Sequence, residues 1–163
     1  MTGRSLAEPA FPDDDGRLDP RLGAVLGDAP AVLSVLGSVR VFVPIVATLG
    51  EASRAAGPEA LAQGDKDADM AAVLMTGRDG RQALLAFSSL ESLGRWNAQA
   101  RPVPVWGQAA AQAALAEGAA AILFDLGSPH FQVVETDDLR HLAAGDRLVA
   151  TDLGHAWVTA TPG

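Results

Sequence analysis

The chain has 163 residues, 48% hydrophobic and 20% charged, with no cysteine, and twelve basic against twenty acidic residues give a net charge of −8. A chain of this length buries roughly 70% of its unfolded surface, so it supports one self-sufficient domain and excludes disorder throughout, collagen-like chains and rods. The charge points away from nucleic acid, and the missing thiols exclude disulfides, thiolate nucleophiles, iron–sulfur clusters and cysteine-ligated zinc.

Residues 1–18 are rich in Pro, Asp and Gly and read as a flexible acidic tail. No apolar run there resembles a signal peptide, and Val41–Leu49 and Ala119–Phe124 are too short to span a bilayer. The expected protein is soluble and cytoplasmic, without a membrane partner. Asp19-Pro20 is an N-cap followed by Pro at the first helical position, and Asp28-Ala29-Pro30 restarts the pattern. Leu22, Val25, Leu26, Val32, Leu33, Val35 and Leu36 predict a broken helix pair ending at Gly37.

Val39–Leu49 is a β-branched, continuously apolar run expected as a strand buried on both faces, with Pro44 at a bulge or facing outward. Gly50–Asp69 carries five acidic groups and reads as a solvated loop. Met70–Met75 and Arg81–Phe87 are expected as strands joined across Asp79-Gly80, a hairpin signal. Ser88-Ser89-Leu90-Glu91 has capping-box spacing, predicting a helix to about Trp96 with Ser88 as cap and Glu91 bonding back. Arg101-Pro102-Val103-Pro104-Val105 is held extended by its prolines. Gln108–Glu117 is an Ala-rich helix, Ala119–Asp125 a buried strand, Asp125–Pro129 a turn and Phe131–Val134 a short strand. Thr136 caps a last helix ending before Gly145; residues 146–163 are a C-terminal extension that reads either as edge strands, at Leu148–Ala150 and Trp157–Thr159, or as frayed chain. The expected fold is α+β: a single domain over 19–145, with helices packed on a mixed sheet.

No nucleotide fingerprint, nucleophile elbow or H-E-x-x-H pair is present. His130, His141 and His155 match no metal spacing, and no cofactor, metal or catalytic residue is assigned. Asp125, Ser128 and His130 cluster after a buried strand, where α/β enzymes place ligand groups, although a tight turn also needs these residue types. Ser88 and Ser89 are explained by capping before catalysis. Trp96, Arg101, Pro102, Pro104 and Trp106 form the leading candidate for a partner surface: indoles and Arg are enriched at hot spots, and the prolines leave little entropy to lose. Core packing of both indoles is the competing explanation. The Ala side chains of 108–117 permit close helix approach and hence self-association.

Val41-Phe42-Val43-Pro44, then Asp79-Gly80, Ala86-Phe87-Ser88-Ser89-Leu90-Glu91, Trp96 and Arg101-Pro102-Val103-Pro104 come in an order that resembles the N-terminal domain of the SseB family, in its actinobacterial form. The resemblance covers about residues 20–145. Asp125-Leu126-Gly127 stands where the family usually has Asn-Pro-Gly, and Ser88-Ser89 where Thr often takes one position. The length is too small for the second domain of longer members. The resemblance implies a family named for enhanced serine sensitivity and linked to sulfur transfer, and it carries over no catalytic residue. A transferase holding its own persulfide is excluded without cysteine. Two functions are open: a non-enzymatic cytoplasmic binding or regulatory module of this family that contacts a protein, or a small-molecule binder or enzyme using the turn 125–130.

Overall fold

Local signals account for the first elements of the computed structural model, which describes residues 11–47 and 70–159. Asp19 caps α1 (Pro20–Gly23) by accepting from the Arg21 N–H, and Asp28 caps α2 (Ala29–Leu36) by accepting from Ala31. Then come β1 (Arg40–Ala47), β2 (Met70–Ala72), β3 (Leu74–Thr76), β4 (Gln82–Ala86) and α3 (Leu90–Trp96). The second half holds β5 (Arg101–Trp106), α4 (Gly107–Ala116), β6 (Ala121–Phe124), β7 (Gln132–Glu135), α5 (Thr136–Ala144), β8 (Arg147–Thr151) and β9 (Gly154–Val158). The acidic loop expected over Gly50–Asp69 lies outside the described residues.

The strands order as β2-β1-β5 and β3-β4-β6-β7, with β8-β9 a separate hairpin built from the C-terminal extension. Among the described residues all pairings are antiparallel except β4 with β6, which sets Ala86 opposite Phe124. The two larger sheets are stitched together. Phe42 and Phe87 exchange backbone hydrogen bonds, and Val73, between β2 and β3, donates to the Pro44 carbonyl and accepts from the Leu85 N–H. The expected α+β domain with helices on mixed sheet is the one observed.

Period-2 alternation decides the layers. Val41, Val43, Leu84, Ala86, Ile122, Phe124 and Val134 share a core with α1, α2, α4 and α5. Phe42, Leu85 and Phe87 belong to a smaller cluster with Leu93 and Ala100, against which Trp96 packs. Residues 110, 111 and 114 give α4 its buried alanine stripe, and Gln108 and Gln112 both donate to the Ala143 carbonyl of α5. That buried stripe packs inside the chain, while Ala109, Ala113 and Ala116 on the other side of the same helix are exposed. Gly107 explains how α4 begins so close to α2: a Cβ there would meet the Leu36 carbonyl oxygen at 1.7 Å.

Two expectations are corrected. Pro44 sits in register opposite Pro102, with no bulge, and its backbone edge faces inward toward Val73. Because Phe42 and Pro44 direct their polar groups away from β5, their partners Pro104 and Pro102 are not asked to donate to β1; their missing N–H groups fall on the side of β5 that is an edge among the described residues, where proline is tolerated. Thr136 does not cap its helix, since its hydroxyl donates to the Ala120 carbonyl across the turn into α5. Of the tail expected over residues 1–18, residues 1–10 lie outside the described residues, and residues 11–18 make hydrogen bonds among themselves and to the domain. Phe11–Asp14 is a turn closed by a hydrogen bond from the Asp14 N–H to the Phe11 carbonyl, and Leu90 donates to the Gly16 carbonyl.

Candidate functional site

The inner, parallel strands β4 and β6 end on the same side of the sheet, which places Ser88 and Asp125 side by side. Asp125 is fully buried and has φ +56, the only positive φ outside glycine among the described residues. Asp tolerates this left-handed region better than most residues. Its Oδ1 accepts from the Ser88 N–H (2.7 Å) and the Ser92 hydroxyl (3.1 Å). Its Oδ2 accepts from the Ser88 hydroxyl (2.6 Å) and binds His130 Nε2 (2.9 Å). An ionised carboxylate has about four acceptor positions, and four donors occupy them.

This cluster changes the roles of the serines. The expected capping box exists one residue later: Ser89 caps α3 by accepting from the Ser92 N–H, and the Ser92 hydroxyl receives the Ser89 N–H in return. Glu91 takes no part and pairs on the surface with Arg95. Ser88 is only 2% exposed and turns its hydroxyl to the carboxylate rather than to the imidazole, so no nucleophile–base relay is formed. Of the three predicted turn residues, Asp125 and His130 meet directly, while the Ser128 hydroxyl accepts from the His130 backbone. His130 lines an open cavity of about 550 Å³ with Ser89, Ser92, Ser128 and Leu90. Among the described residues, no group of three or more His, Cys, Asp or Glu side chains is gathered as a metal would need.

The β5 candidates do not form one patch. Trp96 packs against Phe87, ring centroids 5.6 Å apart, as part of the smaller core. Arg101 is exposed opposite Ile45, and Trp106 lies opposite Arg40 at the other end of the strand, about 16 Å away at 3.3 Å per residue. Trp106 is 50% exposed and meets Phe11 edge to face at 4.7 Å.

Arg40, beside it, belongs to no motif or compositional cluster, although a lone Arg opening an apolar strand is the signal that marks it. Only 6% exposed, it donates from Nε to Asp14 Oδ2 (2.6 Å) and from Nη2 to Asp14 Oδ1 (3.1 Å) and the Arg17 carbonyl. Its Nη1 donates to the Ser88 carbonyl (2.8 Å), and its guanidinium stacks 4.3 Å from the Phe42 ring centroid. Arg40 thus links the N-terminal turn to the Ser88–Asp125 cluster. Burial pushes the Asp14 carboxyl up, but the Arg40 hydrogen bonds and charge and the Gly16 N–H outweigh it and hold Asp14 below its ordinary value of 3.8. Asp19 is lowered chiefly by its hydrogen bond from Arg21.

No curated protein and no solved structure matches the chain. The family model of the SseB protein N-terminal domain matches residues 23–141, from the end of α1 into α5, leaving the β8–β9 hairpin beyond it. The match includes both parallel strands and the cluster at their ends, and covers well over half of the sequence: the chain belongs to the SseB family through its N-terminal domain.

Proposed function

We propose that the chain is a non-enzymatic cytoplasmic module of the SseB family that contacts a protein partner through the Trp106 end of β5. One observation carries this reading: Trp106 is 50% exposed at the tip of an edge strand, although an aromatic ring and a buried Arg adjoin it. Exposed indoles beside Arg are among the commonest binding hot spots. The saturated Asp125 carboxylate supports a non-enzymatic role, because the most catalysis-like group is committed to holding Ser88, Ser92 and His130. A net charge of −8 favours a protein over nucleic acid as the partner.

Affinity capture with the full chain tests this. Trp106→Ala is expected to weaken capture by about thirtyfold, the equivalent of a 2 kcal/mol hot spot, while His130→Ala retains it. Capture unaffected by Trp106→Ala rejects the reading. A second reading, a small polar ligand held at His130, rests on the cavity of about 550 Å³ beside the imidazole. Loss of binding in His130→Ala alone is the result expected from it.

A further inference from the structure

We propose that the turn Phe11–Asp14 occupies, within the chain, a groove that a partner protein enters with the same chemistry: an aromatic–Pro–x–Asp turn presented to Trp106 and Arg40. The inference rests on the protein-binding reading above and names the partner's recognition element. Three of the four side-chain hydrogen bonds of Arg40 go to the turn and the stretch that leads out of it: Asp14 grips it bidentately and the Arg17 carbonyl accepts from it, while the rest of the domain supplies the Ser88 carbonyl and the Phe42 ring. Remove residues 11–17, and a cation beside a half-exposed indole is left open. That is a receptor for a carboxylate and an aromatic ring, read by fork geometry and edge-to-face packing.

The turn fills this groove incompletely. A cavity of about 410 Å³ remains among Phe11, Asp14, Leu18, Arg40 and Trp106. The turn is also separable from α1. Asp19 caps that helix through the Arg21 N–H, and Arg21 reaches the Ser38 carbonyl, so α1 has its own anchors when residues 11–17 leave. Pro12 at the second turn position pre-sets the bend that places Phe11 and Asp14 toward their partners. A tethered segment competes at high effective concentration, so a free peptide binds the intact protein weakly.

The test uses a fluorescent peptide with the sequence of residues 11–18 and the full chain. Phe11→Ala/Asp14→Ala, which loosens the tethered turn, is expected to bind the peptide at least tenfold more tightly than wild type. Adding Trp106→Ala to that variant, or replacing the peptide's second Asp with Ala, is expected to abolish the gain. Equal, negligible binding to wild type and to a folded Phe11→Ala/Asp14→Ala variant overturns the proposal. So does global unfolding of that variant, which makes the turn an integral part of the fold, or its concentration-dependent dimerisation, which assigns the groove to a second copy. If Trp106→Ala loses the captured partner while the peptide fails to bind, the protein-binding reading stands and this inference falls; if partner capture ignores Trp106, the reading itself falls.

Discussion

Ser88 and Asp125 are 37 residues apart in sequence, yet both the N–H and the hydroxyl of Ser88 donate to the two oxygens of Asp125, at 2.7 and 2.6 Å. The pair ties together the ends of β4 and β6, which run parallel, and the buried carboxylate also receives Ser92 and His130. Removing the carboxylate orphans the Ser88 N–H and hydroxyl, whereas the Ser92 hydroxyl still has the Ser89 carbonyl at 3.0 Å.

Asp125→Ala is therefore expected to destabilise the fold by about 3 kcal/mol or more, from ~1–3 kcal/mol per orphaned buried donor and the added strain of Ala at positive φ. Asp125→Asn, which tolerates that φ but turns an NH₂ toward some of the donors, recovers only part of the loss. Denaturant midpoints of the three proteins decide it; equal midpoints would show that the cluster contributes nothing.

The start of α3 makes a contrasting pair. Ser89→Ala removes the N-cap and is expected to cost about 1 kcal/mol. Glu91→Ala touches only an exposed ion pair with Arg95 and is expected to stay within about 0.5 kcal/mol. Thermal melts with the reverse ranking would return the cap to Ser88 and Glu91.

Acid should release the N-terminal turn. Asp14 titrates lower folded than unfolded, so its contribution is complete above the unfolded value of 3.8 and is lost as pH falls through the lower folded value. Asp19 acts with the same sign. The Leu90 amide, which donates to the Gly16 carbonyl, reports the event by hydrogen exchange. Protection is expected to fall below about pH 3.8 in wild type and to be low at every pH in Asp14→Asn. A pH-independent Leu90 amide in wild type would contradict the coupling.

The two strand-flanking indoles should behave differently in folding. Trp96→Ala removes a ring packed on Phe87 and is expected to cost about 3 kcal/mol, whereas Trp106→Ala is expected to cost under about 1 kcal/mol. Urea titrations that place Trp106→Ala below Trp96→Ala in stability would move Trp106 into the core.

Much of the fold is legible in nearest-neighbour patterns. Asp19-Pro20 and Asp28 cap helices by reaching backbone N–H groups two or three residues away, so the sequence alone contains both partners. The alternation in β1 and the Asp79-Gly80 hairpin, with Gly80 at φ +84, are equally local. The order of these signals carries the resemblance to the SseB family. The candidate site is a different matter. Ser88 and Ser89 both stand ready to cap α3, and local spacing favours Ser88 with Glu91; the choice falls to Ser89 because Asp125, across the parallel strands, takes Ser88. In the same way, Asp14 belongs to a Pro- and Asp-rich stretch with the composition of a tail, and only a buried guanidinium 26 residues later fastens it. A charged or hydroxyl side chain satisfies itself with whatever partner the chain's path brings within about 3 Å. Spacing along the sequence therefore determined the elements, while the long-range meeting of polar groups in a poorly solvated interior decided which residues make the site.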